Sequence, residues 1–255
     1  MPTREICEKK SRGSAEYVRC TELLSVRPGK PLAMSRIALV DVDGTLVDTN
    51  YHHTLAWARA FRRIGLTPPL WQIHRHVGMG GDQLVPAVAG DDVEDRHGEE
   101  LRAAWTDEFT PFLPEIVPVA GAHDFLAALR ANGTRVVLAS SGKPEHVDAF
   151  LDLIQGRDVA EAWTTSDDVE RTKPEPDLLE SALQKLQDSA DPPAGDADVV
   201  VIGDSTWDCV AAARLGARSL ALRTGGFSRE ELIDAGAQDV FDTLEKLLTS
   251  LRASR

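Results

Sequence analysis

The sequence predicts an α/β fold, a doubly wound Rossmann-like parallel sheet with an inserted all-helical domain, and three observations carry that expectation. Short strand-like runs at Ile37–Val40, Arg135–Ala139, Trp163–Thr165, Val199–Ile202 and Ser219–Leu222 alternate with stretches of helical apolar spacing, the pattern of βαβ units on a parallel sheet. The first run ends abruptly in Asp41-Val42-Asp43-Gly44-Thr45-Leu46-Val47-Asp48, as a buried parallel strand does where its carboxyl end opens into a site. Residues 50–113, between that run and the next βα unit, read as helical with no convincing strand, which predicts a small lid.

Taken in order, residues 1–33 hold seven Lys or Arg and four Glu, have weak apolar periodicity and are cut off by Pro28-Gly29-Lys30-Pro31. They are expected to form a disordered tail, with Met34 opening the folded part. The α/β core is expected over 34–49 and 114–255, and the helical lid over 50–113. In the lid, Trp57, Phe61 and Ile64 form one stripe closed by Gly65, and Leu101, Trp105 and Phe109 form another. Trp57, Phe61, Trp71 and Trp105 are read as lid core. His52, His53, His74 and His76 are read mainly as packing or solvent-facing residues, because His-x-His in a polar loop is weak ground for a metal site. Arg75 and the loop Gly78-Met79-Gly80-Gly81 are the lid's best candidates for reaching a substrate.

The return linker spans Pro114–Gly121. A helix with Phe125, Leu126 and Leu129 ends at Gly133, and another begins at Pro144 and buries Val147, Phe150, Leu151 and Ile154. Leu179, Leu183 and Leu186 mark a further helix, and Asp188–Asp198 reads as a solvated loop. Val199–Ile202 is the most apolar run and is expected at the centre of the sheet. Ala211–Leu215 is a helix closed by Gly216. Ser228 with Glu231, and Asp242 with Glu245, fit capping boxes for the last two helices.

The functional residues follow from what stands after each strand, since open parallel sheets bind ligands beyond their carboxyl ends where the strand order reverses. Alternation turns Asp41 and Asp43 to one side and Val42 to the core. Two facing carboxylates repel unless a cation intervenes, and Mg2+ characteristically takes one or two carboxylates together with substrate phosphate. The second strand is followed by Ser140-Ser141-Gly142-Lys143, hydroxyls and a Gly before a helix N-terminus, suited to an oxyanion. Lys143 either touches phosphate or points to water. Beyond the third come Lys173-Pro174-Glu175-Pro176-Asp177, with Lys173 ahead of a Pro-initiated helix. The fourth ends in Gly203-Asp204-Ser205-Thr206-Trp207-Asp208, where Asp208 either supports a metal or caps its helix.

Composition narrows the class. The chain has 255 residues, 42% of them hydrophobic, enough for a real core. A formal charge of −13 disfavours nucleic acid or an anionic membrane as the main partner, so any phosphate site is a local exception. Cys7, Cys20 and Cys209 are scattered and odd in number, as in a reduced cytosolic chain. No apolar run approaches the roughly 20 residues of a membrane span, and the charged first 33 residues lack a signal-peptide core. The expectation is a cytoplasmic protein, monomer or homodimer, whose partner is a small molecule.

The order of acidic pair, Ser, Lys-Pro and Gly-Asp-x-x-x-Asp over residues 37–222 resembles the four motifs of the haloacid-dehalogenase-like phosphatases, many of which carry a helical cap at the place of the present lid. The resemblance implies a Mg2+-dependent phosphatase acting on a small phosphorylated metabolite. Asp41 looks like its nucleophile, forming an aspartyl-phosphate, and Asp43 like its general acid and base. Ser140 would hydrogen-bond the phosphoryl group, with Thr45, Ser141, Gly142, Lys143 and Arg75 as further substrate contacts. Lys173 would neutralise charge on the phosphoryl group and on Asp41. Asp204 would hold Mg2+ with Asp41 and the Asp43 carbonyl, with Asp208 supporting the metal. Ser140 and Thr45 could also be ordinary turn residues, and Lys173 a surface lysine.

The second acid argues against dehalogenation and phosphonate cleavage. A mutase of the β-phosphoglucomutase type shares core and lid, but that type tends to carry Glu where Gly203 stands, which favours hydrolysis. Phosphoglycolate is the nearest substrate by resemblance. A receiver module also uses a phospho-accepting Asp, a hydroxyl, a Lys and Mg2+, but distributes its acids differently and has no helical insert. A non-catalytic binding protein is opposed by the intact Asp41, Asp43, Lys173 and Asp204.

Overall fold

The arrangement of the acids depends on six strands that all run the same way. In this computed structural model, which describes residues 37–188 and 198–253, β1 (Ile37–Val40), β2 (Arg135–Ala139), β3 (Ala162–Thr164), β4 (Val199–Gly203), β5 (Arg218–Leu222) and β6 (Asp239–Phe241) form one parallel sheet in the order β3-β2-β1-β4-β5-β6. The doubly wound α/β expectation holds. The tail and most of the loop expected before β4 lie outside the described residues.

The order reverses between β1 and β4, the apolar run expected to be central. Val40 is level with Leu138 on one side and Ile202 on the other, so all three strands end at one height. Alternation then separates two buried layers. Ala38, Val40, Val136, Leu138, Val200 and Ile202 face the cluster that includes α5 (Ala122–Ala131) and α10 (Leu244–Ala253). Ile37, Leu39, Val137 and Val201 face α7 (Asp177–Asp188) and α8 (Thr206–Leu215). The remaining core helices are α6 (Pro144–Leu153), with Pro at its first turn, and α9 (Arg229–Asp234).

Between β1 and α5 the chain is helical, as expected: α1 (Asn50–Arg63), α2 (Leu70–His74), α3 (Gly81–Ala89), α4 (Asp91–Phe109) and a 3-10 turn at Thr110–Glu115. Phe61, Ile73, Leu84, Leu101 and Phe109 are buried there, and α4 packs on both α1 and α3. The lid is entered and left by two segments that bond to each other: Asp48 N–H donates to the Val117 carbonyl (3.0 Å) and Val119 N–H to that of Leu46 (2.9 Å). This short pairing fixes where the insert leaves the core.

Three local expectations need correction, and one strand went unexpected. Trp71 is 69% exposed, because α2 is a short helix whose buried residue is Ile73. Asp242 does not box α10; Thr243 accepts the Lys246 N–H (3.2 Å), while Asp242 pairs with Arg223 and Lys246. α7 starts at Asp177, so Lys173 stands in the loop before it rather than directly ahead of the helix. The three-residue β6 had no run long enough to announce it. Ser228 and Glu231 do form a capping box.

Candidate active site

Level strand ends bring the expected acids together. Asp41 continues β1 by donating its N–H to the Ile202 carbonyl (2.8 Å). Its carboxylate receives Lys173 Nζ on Oδ1 and Thr45 Oγ1 on Oδ2 (3.0 Å). Gly44, at φ +79°, makes the turn beside it: a Cβ there would meet Asp204 Oδ2 at 2.0 Å, so only glycine lets the β1 turn and the β4 end approach this closely. Asn50, the first residue of α1, donates to Asp204 Oδ2 (2.7 Å), tying the lid's first helix to the core acids.

Lys173 is 1% exposed. Its ammonium donates to Asp41 Oδ1 and the Ala139 carbonyl (3.3 Å) and forms an ion pair with Asp208 Oδ1 (2.7 Å). Burial would lower its pKa, but Asp208 and Asp41 outweigh burial and hold it above its ordinary value. The reading of Lys173 as a surface lysine is therefore excluded. Asp208 caps its helix, one of its two expected roles: Oδ2 accepts from Ser205 N–H (3.1 Å) and Ser205 Oγ (2.6 Å) in the capping box of α8, while Oδ1 pairs with Lys173.

Asp41, Asp204 and Asp208 each offer a carboxylate oxygen within 4.8 Å of the others, and all three are buried. One ammonium does not balance three carboxylates in a dry site. Burial pushes Asp41 up to about 7, and Lys173 only partly offsets the effect, to which Asp208 and Asp43 add. Burial, then Asp41 and Asp208, push Asp204 well above the carboxylate range. Three hard oxygen donors short of positive charge fit a divalent cation. The Asp43 carboxylate is not part of this group.

Asp43 is instead held from the other side of the cleft. Its Oδ1 receives Thr49 Oγ1 (3.0 Å) and His53 Nε2 (2.9 Å), and its Oδ2 receives Ser140 Oγ (3.1 Å). Burial would raise its pKa, but His53, Thr49 and Ser140 together hold it below the ordinary value. His53 stacks flat on Phe109, ring centroids 4.2 Å apart, and on Trp105 at 5.5 Å, so the lid core fixes the ring that holds the acid.

The cleft between lid and sheet takes in about 700 Å3 of empty space, part of it open solvent, the scale of a small-molecule site. Asp41, Asp43, Ser141, Gly142 and Lys143 line its floor, and Trp57, Trp105, Met79, Leu84 and the Gly78–Gly81 loop its lid side. Ser140 and Thr45 are fully buried with their hydroxyls turned to Asp43 and Asp41. Ser141, Gly142 and Lys143, rather than these two hydroxyls, line the cleft.

Arg75 is a correction. Its guanidinium pairs with Glu231 and lies 4.3 Å over the Phe227 ring, and its carbonyl accepts Trp207 Nε1 (3.0 Å). It clamps the lid to the core and does not line the cleft. The reading of the lid histidines as packing holds for His74, stacked on Tyr51, and is incomplete for His53, which packs on Phe109 and also bonds Asp43. Sequence reasoning also passed over Asn50, Thr49, Arg102 and the pair Asp82–Thr172, in which Asp82 accepts the Thr172 N–H (3.0 Å) and hydroxyl while that hydroxyl accepts the Gly80 N–H (2.9 Å).

With this geometry in place, the sequence profile of the haloacid dehalogenase-like hydrolases matches residues 36–216. The chain belongs to that family. It is similar to a validoxylamine A 7'-phosphate phosphatase of Streptomyces hygroscopicus subsp. limoneus, at 28% identity over 86% of this chain and 97% of the relative. It is likewise similar to a phosphoglycolate phosphatase of Colwellia psychrerythraea, at 28% identity over 87% and 99%. Among solved structures, a hydrolase from Pseudomonas syringae superposes with a TM-score of 0.75 at 28% identity, over 86% of this chain and 98% of that one. Family membership makes the chain an enzyme, a hydrolase on the α/β fold described above. Among the described residues, no helix of this haloacid dehalogenase-like hydrolase is long and apolar enough to cross a membrane.

Proposed function

We propose that the chain is a Mg2+-dependent phosphomonoester hydrolase that transfers the phosphoryl group of a small phosphorylated metabolite to Asp41 and then to water, in the cytoplasm. The observation that carries this reading is the division of labour between two carboxylates on one cleft. Asp41 sits with Lys173 and two further acids, while Asp43 is held apart by His53, Thr49 and Ser140. Paired acids whose environments push their pKa values apart mark distinct roles.

Asp41, Asp204 and Asp208 would hold the cation, together with the Asp43 carbonyl. When bound, the ion supplies positive charge that lowers Asp41 toward its ionised form and offsets charge on the phosphoryl oxygens. Lys173 holds the Asp41 carboxylate and supplies the second positive charge near the reaction, where two anions must approach. The Asp41 carboxylate attacks phosphorus as the bond to the substrate oxygen breaks. That oxygen takes a proton from Asp43. In the second half Asp43 removes a proton from water, which attacks phosphorus, releases phosphate and restores Asp41.

The low pKa of Asp43 suits the second step in the resting enzyme. An entering phosphoryl dianion raises it toward the acid form needed in the first step, and His53 is in hydrogen-bond contact with that carboxylate. Ser141, Gly142 and Lys143 offer donors for the phosphoryl oxygens at the start of α6. The Gly78–Gly81 loop and the lid aromatics cover the cleft from the lid side.

Hydrolysis rather than isomerisation is supported at Gly203, where the mutase type tends to carry Glu; here a Cβ would come 2.3 Å from Asp208 Cγ and displace the carboxylate that holds Lys173. The phosphatase names of the two relatives support the same reading. The test is p-nitrophenyl phosphate turnover with Mg2+, with EDTA and in Asp41→Asn, followed by a panel of phosphometabolites including phosphoglycolate and hexose phosphates. Equal rates in all three conditions exclude the reading, and an isomeric sugar phosphate without free phosphate establishes a mutase instead.

A further inference from the structure

The lid side of the cleft carries one charged side chain that the reaction above does not use. Arg102, on α4, lines the cleft. Its Nη1 donates to both oxygens of Glu94 (2.8 and 3.0 Å) and lies 3.5 Å from the Gly81 carbonyl. Among the described residues, its Nε and Nη2 have no hydrogen-bond partner. The side chain is 31% exposed.

The sequence makes room for this arrangement at two glycines. A Cβ on Gly81 would stand 2.9 Å from Arg102 Cγ and 3.0 Å from the Trp57 ring, so the bare loop lets the arginine stem lie against it. A Cβ on Gly98 would stand 2.5 Å from the Glu94 carboxylate, which therefore lies over its own helix and holds Nη1. A guanidinium anchored through one nitrogen keeps its Nε–Nη2 edge as a planar pair of donors, the fork that binds a carboxylate or phosphate through two parallel bonds. Of the other residues on the lid side, His53 is turned to Asp43 and the rest offer apolar or aromatic side chains or backbone, while Lys143 serves the floor.

We infer that Arg102 reads the far end of the substrate, a second anionic group, carboxylate or phosphate, on the same small phosphomonoester. This deepens the phosphatase reading and rests on it for the placement of the reacting phosphate at Asp41. The substrate class is then a phosphorylated acid or a bisphosphate rather than a neutral sugar phosphate.

The test is equilibrium binding by calorimetry to the Asp41→Asn protein with Mg2+, where turnover does not intrude. Three probes separate the possibilities: 2-phosphoglycolate with a carboxylate tail, 1,3-propanediol bisphosphate with a phosphate tail, and p-nitrophenyl phosphate with neither. Adding Arg102→Met is expected to weaken one or both anionic-tailed probes about tenfold or more relative to p-nitrophenyl phosphate, the loss of a charge-assisted pair. Arg102→Lys, which keeps charge and stem but not the fork, is expected to fall between. Whichever tail loses more identifies the second group. A ratio of affinities that does not change, whether all three probes weaken together or none does, overturns the inference. A protein with Asp41 intact that releases phosphate from none of these probes nor from the phosphometabolite panel, while binding to the Asp41→Asn protein still depends on Arg102, would overturn the phosphatase reading and leave Arg102 as the reader of an anionic group.

Discussion

His53 Nε2 lies 2.9 Å from Asp43 Oδ1, so the first helix of the lid holds a carboxylate of the core by one hydrogen bond. The acid therefore reaches its working environment only when the lid is seated. His53→Ala removes the leading influence that lowers the Asp43 pKa and leaves burial, which raises it, less opposed. The acidic limb of kcat against pH, which reports Asp43 as the base of the second step, is expected to move to higher pH, with a fall in rate of about 10²-fold, the lower end of what acid–base catalysis contributes. An unmoved limb would assign His53 to packing alone.

Lys173→Met replaces a buried ammonium by an apolar chain of similar length. Asp41 and Asp208 lose their shared partner. Breaking such a pair from one side costs on the order of 3–5 kcal/mol of stability, and the missing charge lowers kcat about 10²- to 10³-fold. Urea midpoints and single-turnover rates measure the two effects separately. Loss of stability with unchanged kcat would reduce Lys173 to a structural part.

The acid cluster gives the metal-free protein a distinctive pH dependence. A carboxyl group raised to about 7 in the fold carries no penalty below its unfolded value near 4 and a growing one between about pH 4 and 7. Asp204 acts in the same direction. Asp43, lowered, acts oppositely, and its contribution is lost only as pH falls through the acid range. Without divalent cation, Tm is expected to decline from pH 5 to pH 7.5, with Mg2+ restoring it most at the upper end. Asp204→Asn is expected to raise the metal-free Tm at pH 7.5 by about 2–4 °C for each kcal/mol of repulsion relieved and to abolish the Mg2+ effect. A metal-free Tm that climbs over this interval would contradict the account of the cluster.

Asp82 and Thr172 join the lid loop to the residue before Lys173. Thr172→Val removes a hydroxyl that accepts from Gly80 and donates to Asp82. Exchange of the Gly80 and Gly81 amides is expected to speed up, and KM to rise about three- to tenfold, the worth of one to two ordinary hydrogen bonds. Unchanged exchange at these amides would show that other contacts seat the loop.

What the sequence disclosed follows from the geometry of strands. Asp41, Asp43, Ser140 and Asp204 directly follow strands, with Lys173 in a loop beyond β3, and a parallel sheet brings such positions to one edge whatever the rest of the chain does. Contacts made across the lid had no such rule. Arg75 read as a substrate contact because nothing local reveals that Glu231 and Phe227 will meet it. His53 read as packing, which is half correct, since Phe109 stacks on its ring while its edge meets Asp43. Arg102 gave no signal, because its neighbours Gly81 and Glu94 become informative only once α3 and α4 are packed together. Thr45 and Ser140 were found by position, but their orientation toward Asp41 and Asp43 was beyond a one-dimensional reading.

The central claim, that Asp41 itself accepts the phosphoryl group, is tested most directly by trapping. p-Nitrophenolate leaves without help from an acid, whereas release of the phosphoryl group to water needs Asp43 as base. The Asp43→Asn protein, mixed with p-nitrophenyl phosphate and Mg2+ and quenched in acid, is expected to gain the mass of one phosphoryl group, removable by hydroxylamine and mapping to the peptide that contains Asp41. Release of p-nitrophenol with no covalent adduct, or with the adduct on another residue, would contradict it.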